Sequence, residues 1–403
     1  MRKALMILMT VLLWLPLMGQ SQQDSLVVSL LTCAPGPEVY ELCGHEAIRI
    51  RNAEAALPAS KLAGEYAGLD SVWNFGTFDF AQPNFLYRFV KGETDYMVAA
   101  CPTWLFLSEY NVQGRHVAEQ ELNLNQAEAH RLLGMLRENA LPQNRTYRYN
   151  YVKDNCATRI TTMLDKASDR RIIYPDSVRH GTFRRTMRHY HRDYPWYQYG
   201  IDLALGSGID YPLTGREEMF VPMEMHDKTA GAHFEDGTPV VSESRVLVDG
   251  VPDATKGRTH WALTPLTISW LWFAVVTAIC AVNLKKRRVN TLSKVLYSLW
   301  FGLLGMAGCV ITFLVFVSEH EATSPNILLL WLNPLQLVIA VGIWFRKAMR
   351  APTVAMAYVD IIILTIMLIV WPMQAQSANM AFFPQMGTTF AMALTYAIIK
   401  TKG

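Results

Sequence analysis

The chain has 403 residues, 51% of them apolar, with 37 Lys and Arg against 34 Asp and Glu. That length holds two domains, and the apolar content is high for a protein dissolved in water. A net charge of +3 points away from a nucleic-acid partner, whose phosphates demand a concentrated positive surface.

The chain opens on MRKALMILMTVLLWLPLMGQSQQ. Arg2 and Lys3, an apolar run and then small polar residues predict a secretory signal peptide over residues 1–21, with export of the chain from residue 22 onward. No cysteine stands directly after the apolar run, so the chain is not read as a lipoprotein itself. SLVVSLLTC (Ser25–Cys33) reads as a buried strand and APGPEVYEL as a turn with a short element. GHEAIRIR (Gly44–Arg51) alternates with period two, Glu46, Ile48 and Ile50 on one face and His45, Ala47 and Arg49 on the other. DSVWNFGTFDF (Asp70–Phe80), rich in aromatic and β-branched residues, is its natural partner strand.

In NQAEAHRLLGMLREN, Asn125 can cap a helix, Glu128 stands three residues later, and Ala129, Leu132, Leu133 and Leu136 form the stripe. Beyond YNYVKDNC, the residues Ile160, Met163, Leu164 and Ala167 recur at helical spacing. Cys156 therefore sits in a first turn, with Asp154 or Asn155 as its cap. Unpaired N–H groups and the helix dipole there favour a thiolate. His45, starting a strand beside Gly44, is the histidine best placed to act as its base.

RHGTFRRTMRHYHRDYPWYQYG (Arg179–Gly200) mixes Arg184, Arg185, Arg188 and Arg192 with Phe183, Tyr190, Trp196 and Tyr197. That combination suits anionic headgroups, so Arg184, Arg185, Arg188 and Trp196 are expected to face lipid. The histidines His180, His189 and His191 are read as part of a solvated basic segment rather than as metal ligands. HEAIR lacks the second histidine of a zinc motif, and neither metal nor cofactor is expected.

From about Leu266 the chain becomes five apolar spans: Leu266–Val282, Leu296–Val317, Ile327–Phe345, Val354–Trp371 and Phe382–Ile399. LKKRR, RKAMR and the C-terminal Lys400 and Lys402 alternate with SEHEATSPN and PMQAQSAN, which hold no Lys or Arg. The positive-inside rule places the basic segments in the cytoplasm and residues 22–264 outside. Glu319, His320, Asn326 and Asn333 then fall near the outer membrane boundary, where polar residues often serve a site. Cys280 and Cys309 lie inside spans. Cys33, Cys43, Cys101 and Cys156 lie in an oxidising compartment, as two disulfides or as one with Cys156 free.

SLLTCAPGPEVYELCGHEAIRI, WNFGTFDFAQPNFLYRFVKGETDYMV and YNYVKDNCATRI, in this order ahead of a multi-span half, resemble the Lnb family of lipoprotein N-acyltransferases of Gram-negative bacteria. The resemblance implies an α+β periplasmic domain, circularly permuted and papain-like, with an antiparallel sheet packed on helices, related to the NlpC-type and lecithin:retinol-acyltransferase-like branch. A bundle of five transmembrane helices, residues 265–403, would hold it in the inner membrane. His45 would be general base, Cys156 nucleophile and Asn74 the orienting group, Asp79 being the second choice, with Asp154, Asn155 and Gly44 in support. The implied reaction moves an acyl chain from a phospholipid donor, through a thioester, to the α-amino group of a diacylated lipoprotein acceptor. The family usually has an apolar residue where Cys43 stands; here Cys43 invites a disulfide with Cys33, unless Cys33 pairs with Cys101 or Cys43 stays reduced. A membrane-tethered cysteine amidase or peptidase acting on cell-wall peptide is the rival enzyme, and a non-catalytic scaffold the rival outside enzymes.

Overall fold

Residues 25–52, 70–79, 81–253, 259–345 and 348–401 are described by the computed structural model; the expected signal peptide lies outside them. In chain order the first half forms β1 (Leu26–Cys33), β2 (His45–Asn52), β3 (Asp70–Thr77), α1 (Phe85–Lys91), β4 (Asp95–Pro102), α2 (Thr103–Gln113), β5 (Val117–Leu122), α3 (Gln126–Asn139) and β6 (Thr146–Arg148). Then come α4 (Cys156–Ala167), β7 (Ile172–Ile173), α5 (Phe183–Tyr190), α6 (Pro195–Ala204), α7 (Gly215–Glu218), α8 (Pro222–Ala230), β8 (His233–Phe234) and β9 (Val241–Val248).

Seven strands form one sheet in the order β6-β4-β3-β2-β1-β5-β9, and its paired strands run antiparallel. Period-two alternation separates two apolar layers. Leu30, Ile48, Ile50, Trp73 and Phe75 pack against α3 and α4 through Leu132, Leu136, Ile160 and Leu164. Leu31, Cys33, Ala47 and Val72 face Phe106 and Tyr110 of α2 on the other side. This is the expected α+β domain with an antiparallel sheet. Asn125 and Glu128 close the reciprocal cap of α3.

The second half is helical: α9 (Pro265–Lys285), α10 (Thr291–Phe316), α11 (Gln336–Gly342), α12 (Arg350–Val370) and α13 (Phe382–Thr401). Among the described residues, three helices are long and apolar enough to cross a membrane, Pro265–Lys285, Thr291–Phe316 and Arg350–Met373. The third expected span is not one helix. A 3-10 turn, Ile327–Leu330, precedes α11, and between them Asn333 accepts from the Leu335 N–H at 3.1 Å while Pro334 offers no donor to continue a helix. The last expected span forms as α13, continuous, with Thr388, Thr389 and Thr395 set among Phe382, Met386 and Met392 on its buried side; it packs against α9 and α12.

The basic segments gather at one end of the bundle. Lys294 lies 5.5 Å from the centre of the Trp344 ring, and Arg350 donates to the carbonyl of Lys400. At the opposite end the loops free of Lys and Arg meet the sheet domain: Glu319 N–H donates to Lys91 O at 2.8 Å, Asn326 to Leu203 O at 3.0 Å and Asn379 to Asp202 at 2.9 Å.

All six cysteines are free thiols, which corrects the expected Cys33–Cys43 disulfide. Cys33 belongs to the α2 side of the sheet, whereas Cys43 packs toward Phe183 and Met187 of α5, near Tyr151 Oη at 3.5 Å. The two residues serve different apolar clusters and do not approach as a bridge requires.

Candidate active site

Cys156 begins α4. Of the two candidate caps, Asn155 is the one used: its side chain accepts from the Thr158 N–H at 3.0 Å and Thr158 Oγ1 accepts from the Asn155 N–H at 2.8 Å. The Asn155 amide also donates to Tyr151 O and Phe220 O, which pins the turn before the thiol. Asp154 pairs with Arg159 at 2.6 Å instead. The thiol is 8% exposed. Burial pushes it up to about 12, against the backbone N–H groups of Glu46, Ala157 and Cys156 itself. Desolvation here outweighs the helix terminus, which by itself favours the thiolate.

Gly44 precedes β2 at φ +78°, and a Cβ there would lie 2.6 Å from the carbonyl of Cys33. The glycine lets the chain turn tightly into His45. Asn74 Oδ1 holds His45 Nε2. A carbonyl oxygen only accepts, so Nε2 carries the proton and Nδ1 keeps the basic lone pair. Burial lowers the His45 pKa, with the Asn74 bond opposing it. Asp79, the alternative orienting group, is exposed and accepts from the Ala81 N–H at 2.8 Å.

β3 bulges between Asn74 and Thr77. Gly76 within the bulge has φ +89°, and a Cβ there would stand 4.0 Å from Cβ of Cys156 and 3.7 Å from the Tyr149 ring. Nucleophile, imidazole and amide thus share the corner of the sheet where β2 begins. The thiol touches β2 at the backbone of Glu46, one peptide beyond His45. No hydrogen bond joins the imidazole to the sulfur among the described residues.

Two family models match the chain, the Lnb N-terminal periplasmic domain over residues 17–189 and the Lnb transmembrane domain over residues 257–403. The chain belongs to the Lnb family. It is therefore a bacterial membrane protein with a periplasmic domain, in lipoprotein processing. No curated protein and no solved structure matches it.

In this Lnb chain one residue beside the thiol escaped the sequence reading. Glu46 is fully buried and its carboxylate lies close enough to oppose ionisation of Cys156. One oxygen accepts from Thr32 Oγ1 at 2.8 Å; the other has no partner among the described residues. Burial pushes the carboxyl up to about 8. Its place on the helix-facing side of β2 was legible from alternation, but no pattern marks a buried glutamate as neutral.

The expected lipid-facing set divides. Arg184 is fully buried, paired with Asp202 and Asp210 at 2.9 Å each, and does not face lipid. Arg188 holds Asp202 at 3.0 Å and Ser377 Oγ at 2.9 Å. Asn326, 7% exposed, caps a 3-10 turn and bonds Leu203. Arg184 thus ties α5 to the segment from Asp202 to Asp210, because a buried guanidinium demands carboxylate partners, while Arg188 and Asn326 join the two halves of the protein. Arg185 and Trp196 are exposed, and His320 Nε2 approaches Phe89 O at 2.8 Å.

The basic segment is likewise not simply solvated: Phe183, Thr186, Met187 and His191 are buried. His180, Glu218 and Glu224 bring ligand-type atoms within 4.8 Å of one another. Glu218, however, takes the N–H groups of Arg179 and His180 and the Lys228 ammonium at 3.2 Å. Its charge is already balanced by this network.

Proposed function

We propose that the protein is a lipoprotein N-acyltransferase in which Cys156 carries the acyl group. The observation that carries this reading is the buried thiol at the start of α4, set beside Gly76 of the strand whose Asn74 fixes the free nitrogen of His45. Residues 22–264 form a periplasmic, circularly permuted papain-like domain, since base precedes nucleophile in the chain. Residues 265–403 form the inner-membrane domain, in which the broken third segment and α13 cross together with the three long helices.

His45 Nδ1 takes the proton of Cys156 as the sulfur attacks an ester carbonyl of a phospholipid. A C–S bond forms, the C–O bond breaks, and the imidazolium returns its proton to the departing alcohol, leaving a lysophospholipid. The α-amine of a diacylglyceryl-cysteine lipoprotein then attacks the thioester. Its proton passes through His45 to the sulfur as the C–S bond breaks and the amide forms. Productive transfer requires the imidazole to turn toward the thiol once substrate is bound, a tightening common at such sites. The amides converging on the sulfur stabilise its charge as it develops, and burial keeps water from the thioester.

The test incubates the full-length protein with phosphatidylethanolamine, then with a diacylated lipopeptide, and tracks the Cys156 peptide by mass spectrometry. Acyl mass that appears on Cys156 and leaves with formation of N-acylated lipopeptide supports the reading. Undiminished N-acylation by Cys156→Ala removes it.

A further inference from the structure

α1 buries none of its seven residues, although its sequence is FLYRFVK. Leu86 is 73% exposed, and Tyr87 and Phe89 are exposed as well. Leaving such surface in water costs about 25 cal/mol for each Å². The charges of α1 are already paired, Arg88 with Asp95 at 2.6 Å and Lys91 with Glu93, so the unpartnered surface is hydrocarbon.

The position of α1 identifies what covers it. The carbonyls of Val90 and Lys91 accept from Ser318 Oγ at 2.9 Å and the Glu319 N–H at 2.8 Å, just beyond α10, and the Tyr87 ring lies 6.1 Å from Phe313 within α10. α10 is one of the helices long and apolar enough to span, and it leaves Val310 and Phe316 exposed, as α1 leaves Leu86 and Tyr87. Amphipathic aromatic residues favour this depth.

From α1 a series of rings runs inward. Phe89 packs on Phe85 at 6.0 Å, Phe85 on Phe78 at 6.0 Å, Phe78 on Tyr96 at 5.0 Å and Tyr96 on Tyr149 at 4.1 Å. Tyr149 closes over Gly76 beside Cys156. Phe89 is 46% exposed and Tyr96 7%, with Phe85, Phe78 and Tyr149 half-buried.

We propose that α1 lies in the outer leaflet of the bilayer and that the ring series from Phe89 to Tyr149 is the surface along which a lipid acyl chain reaches Cys156. The inference rests on the acyl-transfer reading for its second half only; residence of α1 in lipid stands apart from it. Rings of this kind offer a methylene chain a continuous apolar contact surface.

Two measurements on the full chain in vesicles of phosphatidylethanolamine and phosphatidylglycerol test it. With p-benzoylphenylalanine replacing Leu86, irradiation should give a phospholipid adduct at that position and none when the probe replaces exposed Leu141; no adduct at position 86 overturns the location of α1. Phe78→Ala should lower the rate of Cys156 acylation by a long-chain phospholipid, relative to that by a water-soluble butyryl ester, by about tenfold, as expected for one lost ring contact. An unchanged ratio overturns the route. Absence of acyl-Cys156 in the unaltered protein with either donor instead removes the thioester reading, while the adduct at position 86 still decides where α1 lies.

Discussion

The backbone N–H of Glu46 lies near enough to the sulfur of Cys156 to favour its thiolate, so the strand that begins with the imidazole also brings an amide to the thiol. That amide is insufficient to ionise it. With burial holding the thiol at about 12, roughly one molecule in ten thousand or fewer carries a thiolate at neutral pH. Alkylation of Cys156 by iodoacetamide, measured at the peptide level, should be slow near pH 7 and accelerate steadily through pH 10. Fast labelling at neutral pH would show a preformed ion pair instead.

Asn74 fixes which nitrogen of His45 is basic. Asn74→Ala should lower kcat by at least about tenfold, with little change in thermal stability. Asn74→Asp places a negative charge on Nε2 and favours the imidazolium, so the acidic limb of the pH–rate profile should move to higher pH. A profile that stays in place would dissociate Asn74 from the base.

Glu46 carries a stability prediction with a definite sign. Its carboxyl is raised to about 8 in the fold from an ordinary value of 4.5, so the folded state binds the proton more tightly. The stabilisation is fully present below the unfolded value and is lost as pH rises through the folded one, on the order of a few kcal/mol in total. Thermal unfolding between pH 5 and 9 should show this decline, and Glu46→Gln should flatten it. Because the Glu46 carboxylate also opposes ionisation of Cys156, the glutamine variant should label faster above pH 8.

Arg184 should behave as a structural residue. Arg184→Ala takes its guanidinium from the buried side chain of Asp210 and leaves Asp202 to Arg188 and Asn379, and should cost about 3–5 kcal/mol of stability. Arg184→Lys should recover only part of that, since an ammonium cannot meet two carboxylates and two carbonyls with a fixed fork. Differential scanning fluorimetry in detergent separates these outcomes from Arg185→Ala, an exposed change expected to be nearly neutral.

The sequence made the strands, the start of α4 and the basic ends of the bundle legible because each depends on local pattern: period two around Ile48, a polar cap before Cys156, lysines beside an apolar run. The Asn74–His45 bond was legible only through family resemblance, because strand pairing decides which residues of WNFG and GHEA meet. Arg184 and Arg185 show what local pattern misses. The two adjacent arginines read alike, yet one turns to Asp202 and Asp210 and the other to solvent, and those carboxylates arrive from later in the chain. Asn333 and Pro334 similarly interrupt a segment whose hydropathy alone predicts an unbroken span.

Asp202, within α6, accepts from Arg184 and Arg188 of the sheet domain and from Asn379 of the bundle. Melting the bundle takes Asn379 from this buried carboxylate, and melting the first half leaves Asn379 and Ser377 without their partners. The two halves should consequently lose structure together, as one cooperative unit with a single heat-absorption peak, and Asp202→Asn should split that peak into two.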